Sequence, residues 1–332
     1  MRGPPRPQAP THYRSPLLTR ILHYSDLHLG PTHDPAALND LQLLAHKLKT
    51  NAPVFRLLVT GDVTNNGTAS QFSKARGELH DLAELAGEAA YGLQTTQPGH
   101  GIVPGNHDYG ALRVFSPTCQ SDQFVEYFDK APAASDRIPL GDGWSLRLLR
   151  VCSTRGATTF QQLAARGSCV RQLDALDQVL SEAGSRGAKE VRALLLHHPP
   201  SYDHLIPNGP FELDRPSRQR LERLIRDHKV SALLSGHTHV PYIEKRSVYG
   251  HAVLDAVCGS SALRSGRKAA EIAQRVLTGN HPEPLSAIVH DVQPSGDTLS
   301  WTATLYERID GSFAVSKSQE KTKRARTIQI IL

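Results

Sequence analysis

Short apolar runs alternate with longer amphipathic stretches through the first third of the chain, and each run stops at a polar cluster. Leu17 to Ser25 reads as a strand that ends at Asp26. The polar loop Gly30 to Pro35 leads to an expected helix over 36–50. Val54 to Thr60 is a second strand, stopping at Gly61-Asp62. Apolar residues then recur at helical period over 69–91, with Leu79, Leu82, Leu85 and Ala86 on one stripe. Gly101-Ile102-Val103 is a short strand running into Pro104-Gly105-Asn106-His107. Strand, helix, strand, helix, strand predicts an α/β arrangement, in which functional groups gather beyond the carboxyl ends of the strands.

The pattern loosens over 109–145, where Gln123 to Phe128 reads as a short helix and Gly141-Asp142-Gly143 as a turn. A strand from Trp144 to Val151 follows, then a loop over 153–168 and a helix over about 169–183. Val191 to Leu196 is a strand ending at His197. Pro199 to Pro216 is a long loop, followed by a helix to about Asp227 and the strand Val230 to Leu234, which ends at Gly236-His237. Further strands are expected at 240–247, 251–257, 285–291 and 299–308, with Thr327 to Leu332 as a possible edge strand. The expected architecture is one α/β body over 19–332, two packed mixed sheets flanked by helices, with a flexible tail over 1–18 and a lid or insertion within 109–170.

The polar clusters that end the strands carry the candidate chemistry. They read Asp26-Leu27-His28, Gly61-Asp62, Gly105-Asn106-His107-Asp108, His197-His198-Pro199-Pro200 and Gly236-His237-Thr238-His239. On extended backbone, Asp26 and His28 would share a face, as would His237 and His239. Carboxylate and imidazole donors together suit manganese, iron, zinc or cobalt. A carboxylate such as Asp62 can bridge two cations, and the Gly61 before it permits a sharp backbone path. Any one fragment is ordinary as a turn or a buried histidine. Five at successive strand ends supply donors for two metal ions.

In this order and spacing, the blocks resemble the calcineurin-like metallophosphoesterases, a superfamily that includes purple acid phosphatases, Ser/Thr phosphatases and class III cyclic-nucleotide phosphodiesterases. The resemblance spans 26–239. It implies a four-layer α/β/β/α sandwich with metals at the strand ends. One metal would take Asp26, His28, Asp62 and His239; the other would take Asp62, Asn106, His197 and His237, with Asp62 shared. His197 and not His198 is the implied ligand; the sequence by itself leaves that choice open. His107 would lie outside the ligand set and assist phosphate chemistry, with Asp108 orienting it. The implied cofactors are two transition metals, manganese or iron first, zinc or cobalt next.

Such a pair, about 3.5–4 Å apart, neutralises a phosphate ester, lowers the pKa of a bound water and aligns it for attack. The chain carries neither a G-x-S-x-G nucleophile elbow nor a G-x-x-x-x-G-K-[ST] phosphate loop, which argues against those two mechanisms. The segments His197-His198-Pro199-Pro200 and Gly259-Ser260-Ser261 look most like the class III phosphodiesterase branch, so a small nucleotide-type diester, a cyclic nucleotide above all, is the favoured substrate. A UDP-2,3-diacylglucosamine-type pyrophosphohydrolase of lipid A synthesis, a phosphomonoesterase and a nuclease are the alternatives. A non-catalytic scaffold is disfavoured by the full ligand set. Arg113 and Arg155 lie in loops that could reach the site.

Charge refines the choice of partner. The formal net charge is +6, but Arg2, Arg6, Arg14 and Arg20 near the start and the stretch 317–326 hold the excess. The remaining body is slightly acidic, which argues against a nucleic-acid groove. Peripheral membrane contact through the basic stretches stays open, and the oligomeric state is not readable. No apolar run reaches the ~20 residues of a membrane span. Cys119, Cys152, Cys169 and Cys258 form no C-x-x-C pair and read as structural thiols of a cytoplasmic protein.

Overall fold

A computed structural model describes residues 18–31, 33–50, 54–85, 101–109, 121–128, 133–134, 137–154, 166–184, 186–200, 211–262, 285–316 and 327–332. In chain order the elements are β1 (Thr19–Tyr24), α1 (Pro35–Lys49), β2 (Val54–Thr60), α2 (Ala69–Leu85), β3 (Ile102–Val103), a 3₁₀ turn at His107–Tyr109, α3 (Ser121–Tyr127), β4 (Ala133–Ala134), β5 (Ile138–Gly141) and β6 (Trp144–Arg150). Then come α4 (Val170–Glu182), β7 (Glu190–Leu195), α5 (Arg215–His228), β8 (Val230–Ser235), β9 (Tyr242–Val248), β10 (His251–Val257), β11 (Ser286–Ser295), β12 (Thr298–Ile309), β13 (Ser312–Val315) and β14 (Thr327–Ile331).

Two mixed sheets result. The first runs β13-β12-β11-β1-β2-β3, with β14 also on β12; the second runs β4-β6-β7-β8-β10-β9, with β5 also on β6. Strands β1, β2 and β3 are mutually parallel, as are β6, β7, β8 and β10. β11 inserts antiparallel beside β1, so the N-terminal strand is completed by a late one. Arg20 and Asp291 pair across that junction, with Nε to Oδ1 at 2.6 Å. Residues 133–150 supply β4, β5 and β6, so this part of the irregular region belongs to the second sheet.

The sheets pack face to face, and helices cover their outer faces. In β7, Val191, Ala193 and Leu195 enter the layer between the sheets, while Leu194 joins the helix-covered side. In β12 the inward set is Leu299, Trp301, Ala303 and Leu305, alternating with half-exposed residues. Helix α1 starts at Asp34, whose carboxylate accepts the Ala36 N–H, and buries Leu38, Leu41, Leu44, Ala45 and Leu48 at helical spacing. With α2 and α3 it covers the first sheet. Helices α4 and α5 cover the second through Leu173, Leu176, Leu180, Leu221, Leu224 and Ile225. This is the α/β/β/α sandwich that the sequence predicts.

The layer between the sheets also holds a polar chain. Trp301 Nε1–H donates to His290 Nδ1 at 3.2 Å. A Trp N–H can only donate, so His290 carries its proton on Nε2, 3.4 Å from His23 Nδ1. His23 then has Nε2–H to donate to Thr60 Oγ1 at 2.8 Å. Burial holds His290 down to about 3, and burial with the neighbouring His290 holds His23 well below its ordinary value. Both rings are therefore neutral, and the chain of donors has one direction.

Candidate metal centre

All five polar clusters lie at the carboxyl ends of parallel strands, on one edge of the sandwich. Asp26 follows β1, Asp62 follows β2, Asn106 and His107 follow β3, His197 follows β7, and His237 and His239 follow β8. The first sheet thus contributes the carboxylates and the second most of the imidazoles. The ligand segments are not extended, contrary to the sequence reading. Asp26, His28, Asp62, His237 and His239 all have positive φ, between 48° and 71°. Each chain turns sharply as it leaves its strand, and Asp and His tolerate that region better than most residues. Two glycines permit the close approach: a Cβ on Gly61 would fall on the His197 ring, and one on Gly105 would fall on the Asp62 carboxylate.

Asp26 is held on one side only. Its Oδ2 accepts from Ser25 Oγ at 2.6 Å and from the His237 N–H at 2.9 Å. Its Oδ1 is buried and accepts no hydrogen bond, yet lies 3.2 Å from His239 Nε2 and 3.9 Å from His28 Nε2. Asp62 is divided similarly. Oδ1 accepts the His107 N–H at 2.8 Å, while Oδ2 lies 3.8 Å from His28 Nε2 and 3.4 Å from His197 Nε2. That oxygen stands between two donor sets. Donor atoms of Asp26, His28 and His239, of His28, Asp62 and His107, and of Asp62, His197 and His237 each lie within 4.8 Å of one another.

His197 is the histidine of its pair that faces the cluster. Its Nδ1–H donates to the Thr60 carbonyl at 2.7 Å, which leaves Nε2 with a lone pair. Asn106 Oδ1 and His237 Nδ1 each lie 3.1 Å from that Nε2. His198 turns instead to Ser153, with Nδ1 2.8 Å from Oγ. Without cations, these groups impose charge on one another. Burial would lower His197, but the carboxylates of Asp62 and Asp26 raise it to about 9. Burial would raise Asp26 and Asp62, but the facing imidazoles hold both below the usual carboxylate range. His28, buried with His107 beside it, is pushed down to about 3. A buried Asp oxygen with no hydrogen bond, and imidazole nitrogens crowded around shared carboxylates, fit a pair of cations.

The calcineurin-like phosphoesterase profile matches residues 19–241, from β1 through the last ligand cluster. The chain belongs to that family. Solved structures agree on the fold. The chain is 14% identical to a purple acid phosphatase from yellow lupin (Lupinus luteus) seeds, with a TM-score of 0.55, covering 91% of this chain and 53% of that one. It therefore spans about half of the lupin protein. Against GAP50, the anchor in the inner membrane complex of Plasmodium, identity is 12% and the TM-score 0.52, covering 91% and 90% of the two chains. No curated protein sequence matches significantly. Candidate metal-ligand clusters within a phosphoesterase family support metal-dependent hydrolysis of phosphate esters in general.

One expectation about the phosphoesterase site is corrected. Asp108 does not orient His107. Its buried carboxylate accepts from the N–H groups of Val63, Thr64 and Gly105 and from Thr64 Oγ1. It ties the loop after β2 to the loop after β3. Burial and the nearby Asp62 raise it to about 6 despite those donors. His107 is oriented by the Asn65 carbonyl, 2.9 Å from its Nδ1. The reason is geometric: the 3₁₀ turn sends consecutive side chains in different directions. The sequence reading also missed Ser25, Thr60, Asn65 and Ser153, while Ser260, within the Gly259-Ser260-Ser261 segment it singled out, donates its Oγ–H to the Asp26 carbonyl at 2.9 Å. The only signal of the missed residues was position, small polar residues flanking each cluster. Arg113 and Arg155 lie outside the described residues. No helix among the described residues is long and apolar enough to cross a membrane.

Proposed function

We propose that the chain is a dinuclear-metal phosphodiesterase. Asp26, His28, Asp62 and His239 would hold one cation; Asp62, Asn106, His197 and His237 would hold the other. The observation that carries this reading is Asp62 Oδ2, buried between His28 Nε2 at 3.8 Å and His197 Nε2 at 3.4 Å. When bound, two cations supply charge neutralisation of the phosphate ester and an activated water. The chain's own groups prepare the rest. Thr60 fixes the His197 tautomer, Ser25 and the His237 amide hold the far oxygen of Asp26, and the His107 amide holds the far oxygen of Asp62. With Nδ1–H committed to Asn65, His107 has Nε2 left to face the reacting group. In its protonated form that nitrogen donates to the leaving oxygen as negative charge develops there.

A small nucleotide-type diester, a cyclic nucleotide first, is the favoured substrate, supported by the likeness of His197-His198-Pro199-Pro200 and Gly259-Ser260-Ser261 to the class III branch. A pyrophosphohydrolase acting on UDP-2,3-diacylglucosamine is the rival. The likeness to an anchor protein keeps a scaffold in view, but a scaffold has no need of seven candidate ligands with His107 beside them. The test is a hydrolysis screen with Mn²⁺, comparing cyclic nucleotides, linear dinucleotides, phosphomonoesters, glycerophosphodiesters and UDP-2,3-diacylglucosamine, beside metal analysis of protein purified without chelator. Turnover of a cyclic nucleotide with close to two metals per chain is expected. Absence of both metal and turnover would leave the scaffold as the better account.

A further inference from the structure

Outside the ligand set, one bulky residue at the centre holds a backbone that its side chain disfavours. Phe211 has φ 76°. The polar ligands reach positive φ with side chains that tolerate it, and Tyr249 does so in the hairpin turn between β9 and β10. A phenylalanine there is an outlier and needs its surroundings to keep it in place. They do so from the C-terminal side. The Leu213 N–H donates to the Pro199 carbonyl at 3.0 Å, the Gly167 N–H to the Glu212 carbonyl at 3.0 Å, and the Asp214 N–H to the Gly167 carbonyl at 2.8 Å. Asp214 then caps α5 through the Ser217 N–H at 2.9 Å. Glu212 and Leu213 are each 2% exposed.

The strained residue stands beside the metal centre. The Phe211 ring centroid lies 5.7 Å from that of His237, tilted by 45°. His237 turns its Nδ1 toward His197 Nε2, into the cluster, so Phe211 stands just beyond a ligand. The residue is half-buried, whereas His198, whose ring also lies against His237, is buried. It thus offers partly exposed apolar surface beside a proposed ligand. Flat groups stack on such a face whatever their hydrogen-bonding pattern.

We propose that Phe211 is the apolar wall of a leaving-group subsite, which favours phosphate esters carrying a flat aromatic group, a nucleobase or an aryl ring, over aliphatic ones. This rests on the phosphoesterase reading of the same centre and narrows it.

Binding separates the two. The probes are phenylphosphonate and methylphosphonate, titrated calorimetrically into the full chain loaded with Mn²⁺. Wild type should bind the phenyl compound roughly 10-fold more tightly, in line with stacking on a single aromatic face. Phe211→Gly and Phe211→Asn both suit positive φ, so they should fold at least as stably as wild type while the preference falls to near unity. Methylphosphonate affinity should hold, and Phe211→Tyr should keep the preference. Equal binding of both probes by wild type overturns the subsite alone. A preference that persists in the Gly and Asn variants does the same. Binding of neither probe overturns the phosphoesterase reading, and the subsite with it.

Discussion

At the scale of single residues, Asp62 has the most demanding position. It sits at φ 50°, has a Gly105 amide segment against its carboxylate, and turns one oxygen to the His107 N–H and the other to two imidazoles. Asp62→Asn is a clean probe, because Asn tolerates the same backbone and keeps an acceptor for the amide while removing the charge. Loss of that charge from both cation positions should lower kcat by at least ~10³-fold, the several kcal/mol of metal charge stabilisation expressed as rate. A variant with a tenth of the normal rate would count against sharing. His107 has a different task, and His107→Ala should retain both metals while slowing turnover by roughly 10²–10⁴-fold. The loss should shrink for good leaving groups such as nitrophenol, since they need no proton. Equal loss across leaving groups would mean that His107 holds the phosphoryl oxygens instead.

Among the elements, β1, β11 and β12 carry the neutral chain His23–His290–Trp301 between the sheets. His290 titrates near 6.5 when unfolded and near 3 when folded, so the unfolded chain binds more protons in between. Stability is complete above about pH 6.5 and is lost as pH falls toward 3; one such group amounts to about 2 kcal/mol by pH 5. The urea midpoint should fall across that range. His290→Gln, which retains a donor and an acceptor, should be weaker at pH 7 but show a shallower fall. An unchanged slope would remove His290 as its source. The polar chain was invisible in the sequence, because nothing local relates His23 to His290 or Trp301. The strands that carry the ligands were legible, because each apolar run ends abruptly in Asp, Asn or His. The short β4, β5 and β13 were not, since a few residues between turns carry too little period to read. The turns of Asp26-Leu27-His28 and His237-Thr238-His239 also escaped, because positive φ in Asp and His leaves no mark on composition.

For the molecule as a whole, the proposed ligands are divided between the sheets: Asp26, His28, Asp62 and Asn106 follow the first, His197, His237 and His239 the second. Cations that draw on both would link the two layers at one edge. Mn²⁺ at about 100 times its Kd should add about 2.7 kcal/mol, a rise in Tm of about 4 °C for a chain of this size, reversed by chelator. A Tm indifferent to metal would show that the cluster does not hold a cation in the folded state. The same architecture sets a timetable for synthesis. Strand β1 lies between β2 and β11, and the Arg20–Asp291 pair closes an interval of 271 residues. On the ribosome, β1 and β2 emerge well before β11, and the edge of β1 that β11 will occupy lacks that partner until residues 286–295 leave the tunnel. Over that interval the nascent chain displays an unprotected strand edge, open to pairing with a neighbour on the same message. A first strand in the middle of its sheet ties the folding of that sheet to long-range pairing, which is intrinsically slow.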